Sequence, residues 1–221
     1  MKKLLIVLAV MAGLAYQYVY HKPPFARAPV LADAGGNAMV LLATGPQCAE
    51  HCERIRDLLK QRGIPFEELA VVGEHNEAIP NKYDITVYPT TLIGQTSVRG
   101  DDMERIKSAL AETYGKSALS RAERMAMDGH FDAQDRPRVV LYGTSWCAYC
   151  KDEREFLSAH GIPFEDIDVE ASDAGALSYH ALDGNGYPLT YVGYRRFVGA
   201  NNEGILAAFA ETSKTQQANV R

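Results

Sequence analysis

The sequence lacks the features that nucleic-acid binding or a dense disulfide framework would require. Among 221 residues, 23 Lys and Arg stand against 28 Asp and Glu, the formal net charge is −5, and no basic run is longer than a pair. Binding through phosphate neutralisation is therefore not expected, and we predict no nucleic-acid partner. Only 4 cysteines are present, too few to staple a miniprotein. With 47% hydrophobic and 23% charged residues, the composition is that of a globular protein and excludes wholesale disorder.

The amino terminus predicts export. Lys2 and Lys3 precede an apolar run over residues 4–19, a pattern that is typical of an export signal. The run approaches the roughly 17 residues that can span a bilayer, and tyrosines follow at its end, as in interfacial belts. We therefore favour an uncleaved membrane anchor over residues 1–22, with a cleaved signal peptide as the alternative. Either way the bulk of the chain is expected on the non-cytoplasmic side, membrane-anchored or periplasmic, where disulfides persist.

The remainder of the chain contains an internal repeat. The pentapeptide Gly-Ile-Pro-Phe-Glu occurs at 63–67 and again at 161–165, at the same distance after the second cysteine of a close pair. Downstream, Tyr88-Pro89 matches Tyr187-Pro188. We predict two homologous units. The full division is a linker over 23–37, a first unit over 38–115, a linker over 116–136, a second unit over 137–212 and a polar tail over 213–221.

Both units are predicted to follow the order β-α-β-α-β-β-α, which indicates a compact α/β fold. In the second unit the strands are expected at 139–142, 164–169, 189–192 and 195–198, and the helices at 147–160, 173–182 and from 201 onward. A further helix is expected between the units over 116–127, followed by a polar linker over 128–136. The first cysteine of the second unit then falls at a strand-to-helix turn.

Cys147 and Cys150 carry the chemistry that this placement favours. A cysteine at a helix N-terminus faces unpaired backbone N–H groups and the positive end of the dipole, which stabilise a thiolate. A second cysteine three residues later lies one helical turn away and can attack a mixed disulfide formed at the first. We predict Cys147 as the nucleophile and Cys150 as the resolving thiol. The alternatives are a static disulfide or half of a zinc site, and the sequence supplies no second ligand pair at zinc-finger spacing.

The motif Trp146-Cys147-Ala148-Tyr149-Cys150 resembles the Cys-Pro-Tyr-Cys site of glutaredoxins in the thioredoxin superfamily, and the likeness covers nearly all of residues 137–212. It implies an α/β fold of two tandem thioredoxin-fold, glutaredoxin-like domains, each a mixed sheet flanked by helices. It also implies thiol–disulfide oxidoreductase activity on protein or glutathione disulfides. In this family a cis-proline lies beside the dithiol and the preceding residue docks the substrate. Those roles fall on Pro188 and Tyr187, with Trp146 and Tyr149 as an apolar rim.

The resemblance also implies the partners, which are protein disulfides or thiols and a redox partner protein. No bound cofactor is expected, and glutathione is the candidate electron donor. Two departures bear on this. Ala148 replaces the family's proline, and the stretch 198–202 lacks the aspartate with which glutathione-binding members engage a glutathione carboxylate.

The first unit has a wider pair, Cys48 and Cys52, with Pro89 as its cis-proline candidate. Three interpretations remain open. It is a second, altered redox pair, a non-catalytic docking module, or a Cu(I) site in which His51 or His75 joins the two thiolates. We favour the first two and predict no bound metal. Of the other histidines, His160 is expected to cap a helix, whereas His130 and His180 show no partner signal.

Overall fold

The computed structural model describes residues 31–33, 36–70 and 83–219, with side chains through residue 212. The predicted apolar anchor over 1–22 lies outside these residues. None of the helices within the described ranges is both long enough and apolar enough to cross a membrane.

The first unit is built on one four-stranded mixed sheet. Its central strand β1 is apolar and completely buried, as expected for a strand covered on both faces. The sheet order is β2-β1-β3-β4, with β1 and β2 parallel and the other pairs antiparallel. In chain order the elements are β1 (Val40–Thr44), α1 (Ala49–Gln61), β2 (Phe66–Ala70), β3 (Thr90–Ile93), β4 (Thr96–Arg99) and α2 (Met103–Tyr114).

The second unit repeats this arrangement with the sheet order β6-β5-β7-β8. Its elements are β5 (Val139–Gly143), α4 (Ala148–Ala159), β6 (Phe164–Asp168), α5 (Asp173–Ala181), β7 (Leu189–Val192), β8 (Arg195–Val198) and α6 (Asn202–Asn219). Val40 pairs with Phe66 in one sheet and Val139 with Phe164 in the other, so the registers correspond. The predicted fold class is confirmed, and the two sheets have the same strand arrangement. The helix predicted between β2 and β3 of the first unit falls largely on residues 71–82, which lie outside the described residues.

The shared Gly-Ile-Pro-Phe-Glu sequence has a clear structural reason. Gly63 and Gly161 follow the C-caps of α1 and α4 with φ values of 66° and 62°. This left-handed conformation is readily available to glycine, which ends the helix and turns the chain into the next strand. The buried isoleucines that follow, Ile64 and Ile162, anchor the turn in each core.

The helix predicted over 116–127 is wrong in its first half. A short 3₁₀ turn over Gly115–Ala118 precedes α3 (Arg121–Met127). Ser120 and Glu123 form a capping box, in which the hydroxyl accepts from the Glu123 N–H at 3.2 Å and the carboxylate accepts from the Ser120 N–H at 2.6 Å. Ser120 is extended (φ −63°, ψ 167°), so the helix can begin only after it.

The two predicted linkers are more structured than expected. Leu31, from the proposed spacer 23–37, is buried and donates its N–H to the Gly94 carbonyl at 3.0 Å. In the segment 116–136, α3 packs against α5, and His130 is fully buried. The proposed polar linker 128–136 therefore contributes to the core of the second unit.

The two units contact each other through α2, which packs against β8, the outer strand of the second sheet. Ser108 donates to the Tyr194 carbonyl at 2.7 Å, and Arg195 pairs with Glu112 at 2.8 Å. A second contact is the ion pair between Arg62, at the end of α1, and Glu123 in α3. Both of these side chains are almost completely buried.

Candidate active site

The chain places Cys147 where β5 gives way to α4. Cys147 is the N-cap of α4, and its sulfur accepts the backbone N–H of Cys150 at 3.1 Å. A sulfur in this position faces the positive end of the helix dipole, which favours the thiolate once the residue is reduced. The strand-to-helix placement predicted from the sequence is thus present.

Cys147 and Cys150 form a disulfide with their Cα atoms 5.2 Å apart. Cys147 keeps 7% of its surface exposed, whereas Cys150 keeps 0%. Both residues are thus largely buried, and Cys147 is the more exposed of the two. This asymmetry is what an attacking and a resolving thiol require.

The residues around this disulfide form an exposed aromatic rim. Trp146 is 67% and Tyr149 is 65% exposed, although both are large apolar side chains. The Trp146 and Tyr187 rings meet edge to face with centroids 6.1 Å apart. The indole N–H donates to Glu170 Oε2 at 2.9 Å, a contact that the sequence did not reveal.

Tyr187 belongs to the loop that leads into β7. The Tyr187-Pro188 peptide bond is cis, and β7 begins at the next residue. Because the Tyr187 ring contacts Trp146, which directly precedes Cys147, this loop lies next to the dithiol. The Tyr187 ring also stacks on Tyr179, with centroids 5.0 Å apart.

A buried polar group lies on the sheet-facing side of α4, beside the dithiol. Glu153 is 1% exposed, and Thr190 of β7 donates its hydroxyl to Glu153 Oε1. Burial raises the pKa of Glu153, while the hydrogen bond from Thr190 and the charge of Arg154 lower it. Sequence reasoning missed Glu153, because it stands in a run of charged residues that looks solvent-facing.

The first unit carries an analogous disulfide between Cys48 and Cys52, with Cα atoms 5.4 Å apart. Cys48 precedes α1 and its sulfur accepts the Gly45 N–H at 3.3 Å, but it makes no capping bond to the helix. Both sulfurs are buried, and the Tyr88-Pro89 peptide is cis. The two units therefore share their disulfide position and proline geometry.

The copper interpretation gains no support from the described residues. His51 is exposed and its Nδ1 lies 2.6 Å from Asp101 Oδ2, and His75 lies outside those residues. No cluster of three or more metal-binding side chains occurs in the described ranges.

The other three histidines of the described ranges make contacts within the second unit. His160 Nδ1 lies 2.9 Å from the Phe156 carbonyl at the end of α4, so its predicted capping role is confirmed. His130 is enclosed by the second sheet, with Nε2 2.9 Å from the Tyr142 hydroxyl and Nδ1 3.3 Å from the Gly193 carbonyl. Burial lowers the pKa of His130 to about 4. His180 contacts the ring of Tyr179.

Taken together, the α/β sheet, the dithiol at a helix N-terminus and the adjacent cis-proline define a thiol redox site in the second unit. Comparison with known proteins agrees at the level of family. Residues 139–190 match the glutaredoxin family model, and this range contains Cys147, Cys150 and Pro188. The second unit is thus glutaredoxin-like.

Part of the chain is also similar to several solved glutaredoxin structures. A glutaredoxin from Archaeoglobus fulgidus is 27% identical, with 34% of this chain and 89% of that chain covered and a TM-score of 0.31. Glutaredoxin C1 from Populus tremula x tremuloides, in its holo form, is 17% identical, with 42% and 99% covered and a TM-score of 0.35. A buckwheat glutaredoxin–glutathione complex is 17% identical, with 43% and 96% covered and a TM-score of 0.33. No curated protein matches the chain.

Proposed function

We propose that the protein is a thiol–disulfide oxidoreductase whose second unit exchanges electrons with protein or glutathione disulfides. The observation that carries the proposal is the Cys147–Cys150 disulfide at the N-terminus of α4, in which Cys147 is the more exposed residue and Cys150 is completely buried. A structural bridge that closes so short a loop would add little stability, which favours a redox role.

The reaction proceeds through a mixed disulfide. In the reduced protein the Cys147 thiolate attacks a substrate R–S–S–R′, so that a Cys147–S–R bond forms and R′–S⁻ leaves. The Cys150 thiolate then attacks the Cys147 sulfur, which closes the Cys147–Cys150 disulfide and releases R–S⁻. Two electrons pass to the substrate, and the reverse sequence oxidises a dithiol.

The aromatic rim supplies the docking surface. Trp146, Tyr149 and Tyr187 present apolar area beside Cys147. The backbone before the cis-proline Pro188 is proposed to pair with an extended peptide, as the family likeness implies. This arrangement suits a protein disulfide as substrate. The family implies these docking roles, and the contact between Trp146 and Tyr187 supports them.

Glutathione is proposed as the electron donor on the family likeness, since a glutaredoxin of the same fold is described in complex with it. The position of the family's aspartate is occupied here by Asn201 and Asn202, and Asn201 Oδ1 is engaged in accepting the Gly204 N–H at 3.2 Å. Backbone N–H groups at the start of α6 remain as the carboxylate-binding element.

The first unit is proposed to act as an altered redox pair or a docking module. The packing of α2 on β8 favours a docking role for this unit. Export is proposed on the apolar segment 4–19, which would place the dithiol on the non-cytoplasmic side, tethered to the membrane by residues 1–22. Fractionation of the full chain and of a form that lacks residues 1–22 tests this.

The decisive experiment is trapping. Cys150→Ser should accumulate mixed disulfides through Cys147 with cellular proteins, visible as adducts that collapse on reduction. Cys147→Ser is the matched control and should trap none. If Cys150→Ser forms no adducts and the wild type reduces no model disulfide, the proposed function is wrong.

A further inference from the structure

The buried carboxyl of Glu153 plays no part in the exchange as described above, and its surroundings suggest a purpose. Glu153 lies three residues after Cys150 on α4, so the two side chains occupy the same helix face one turn apart. Both are sealed from solvent, at 1% and 0% exposure. An acidic side chain in such a place is costly unless it is paired or performs a function.

Contacts with the sheet locate both groups over the same strands. A Cβ added to Gly143 would lie 3.0 Å from Cys150 Sγ and 3.1 Å from Leu141 Cδ2. Thr190, which donates its hydroxyl to Glu153 Oε1, pairs directly with Leu141 across β5 and β7. The resolving sulfur and the carboxyl therefore share one side of the second sheet.

Only one of the two oxygens of the Glu153 carboxyl group is hydrogen-bonded within the described residues. Glu153 Oε1 accepts from Thr190, whereas the buried Oε2 has no hydrogen-bond partner within the described part of the chain. An orphaned buried oxygen of this kind calls for an explanation, and an acid–base role is one of the recognised ones.

The first unit provides an internal comparison. In the first unit Ile55 stands three residues after Cys52 and so corresponds to Glu153. Thr91 stands two residues after Pro89 and so corresponds to Thr190, which stands two residues after Pro188. Thr91 pairs with Leu42 just as Thr190 pairs with Leu141. The Thr91 hydroxyl, however, is buried without a partner in the described structure. At this position of the repeat, the carboxyl is thus present only beside the Cys147–Cys150 pair.

We infer that Glu153 is the acid–base residue of the second unit, taking the proton from the Cys150 thiol in the resolving step. This inference rests on the proposed oxidoreductase function. In the mixed disulfide, Cys150 S–H transfers its proton to the Glu153 carboxylate. The sulfur attacks Cys147, the Cys147–Cys150 bond forms, the bond to R–S breaks, and R–S⁻ leaves with the electron pair. The proton on Glu153 then passes to solvent or to the departing thiolate.

The charged surroundings are compatible with this role. Arg154 is the charged group that acts on Glu153, and it is itself held by Asp166 of β6 at 2.8 Å. The same Cβ position at Gly143 lies 3.2 Å from Arg154 Nη2, so a cation stands close to the resolving sulfur. The side chains that face α4 are Leu141 from β5, Thr190 from β7 and Ile205 from α6. None of these side chains is titratable.

The test separates the two chemical steps with 5,5′-dithiobis(2-nitrobenzoate), whose thiolate product is coloured. Cys48 and Cys52 are changed to Ser in every protein tested, the otherwise wild-type protein included, so that only the thiols of the second unit react. The reduced protein should then release one equivalent as Cys147 attacks and a second as Cys150 resolves. Glu153→Gln keeps the shape and removes the titration. We expect it to slow the second phase by about 10- to 100-fold at neutral pH and to leave the first phase within about twofold. Cys150→Ser marks the first phase alone, and Glu155→Gln, on the exposed face of α4, is the matched control.

The pH profile distinguishes proton transfer from a structural role. In the wild type the second phase should rise with pH through the ionisation of Glu153, and Glu153→Gln should lose that rise. Thr190→Val removes a bond that lowers the pKa of Glu153 and should shift the rise to higher pH. Glu153→Ile, which copies the first unit, should fold and resolve slowly. Unchanged second-phase rates and profiles in folded Glu153→Gln would overturn the inference. A wild type that releases no coloured thiolate would instead overturn the proposed function.

Discussion

The indole ring of Trp146 meets the phenol ring of Tyr187 edge to face, with centroids 6.1 Å apart, and so joins the dithiol loop to the cis-proline loop. Residues 41 positions apart in the chain thereby form one wall beside Cys147. The Glu170 carboxylate fixes the indole from its other side at 2.9 Å. The aromatic rim is therefore held in place before any substrate arrives.

Removing the Tyr187 ring from this pair should slow thiol–disulfide exchange with a protein substrate. We expect Tyr187→Ala to lower kcat/KM for a protein disulfide by about fivefold, since an aromatic pair contributes roughly 1 kcal/mol beyond its buried area. Steady-state reduction of a protein disulfide measures the effect. Tyr88→Ala, at the matching position of the first unit, is the control. An equal loss in both variants would contradict a docking role that is specific to Tyr187.

The single tryptophan reports on the redox state of the second unit. Trp146 adjoins Cys147, and disulfide sulfurs quench indole emission, so reduction should raise the fluorescence of the wild type. A variant with both Cys147 and Cys150 changed to Ser keeps the Cys48–Cys52 disulfide. Its emission should not respond to reductant, and a response would mean that the first disulfide, or a shift between the units, reaches the indole.

The buried ion pair between Arg62 and Glu123 should contribute strongly to stability. Both side chains are only about a tenth exposed, and breaking such a pair leaves a buried charge at a cost of about 3 kcal/mol. Arg62→Met should lower the unfolding free energy in urea by roughly that amount. Changing both residues to Met should restore part of the loss. If the double variant is as unstable as the sum of the single variants, the pair is not coupled.

Burial of His130 makes stability depend on pH. Its folded pKa is about 4 against 6.5 for an exposed imidazole, so between these values the unfolded chain binds the proton and the folded protein does not. Stability therefore falls as the pH falls from 6.5 to 4, by about 3 kcal/mol at most for this group.

Urea unfolding at pH 7 and pH 4.5 checks this prediction. His130→Gln should be less stable than the wild type at pH 7, because it disturbs the bonds to Tyr142 and Gly193. It should lose less stability on acidification. An identical loss in both proteins would show that His130 is not the group responsible.

Much of the fold could be predicted because its signals are local. The hairpin strands 189–192 and 195–198 are confirmed to the residue, since strand-favouring residues such as Tyr191, Phe197 and Val198 stand on both sides of the turn at Gly193. The helix after Cys147 ends at Gly161 for a similarly local reason. Apolar spacing alone predicts one continuous helix over 116–127, but the capping box of Ser120 and Glu123 begins a new helix after Ser120. Apolar spacing therefore does not locate the helix start here.

The site was predicted only in part, because several of its members depend on long-range packing. Cys147, Cys150 and Pro188 follow from motif and repeat. Glu153 is identified only once Thr190 is brought over it by the β5–β7 pairing. His130 gave no signal, because nothing near it in the chain shows that the second sheet will enclose it.

The docking of α2 on β8 gives the first unit a function that is independent of its own sulfur chemistry. An outer strand left uncovered can recruit a foreign strand and start aggregation. Here the hydroxyl of Ser108 and the carboxylate of Glu112 hold a neighbouring helix against that strand. Separating the two repeats would expose β8 to solvent. The glutaredoxin-like unit expressed alone should therefore be prone to self-association.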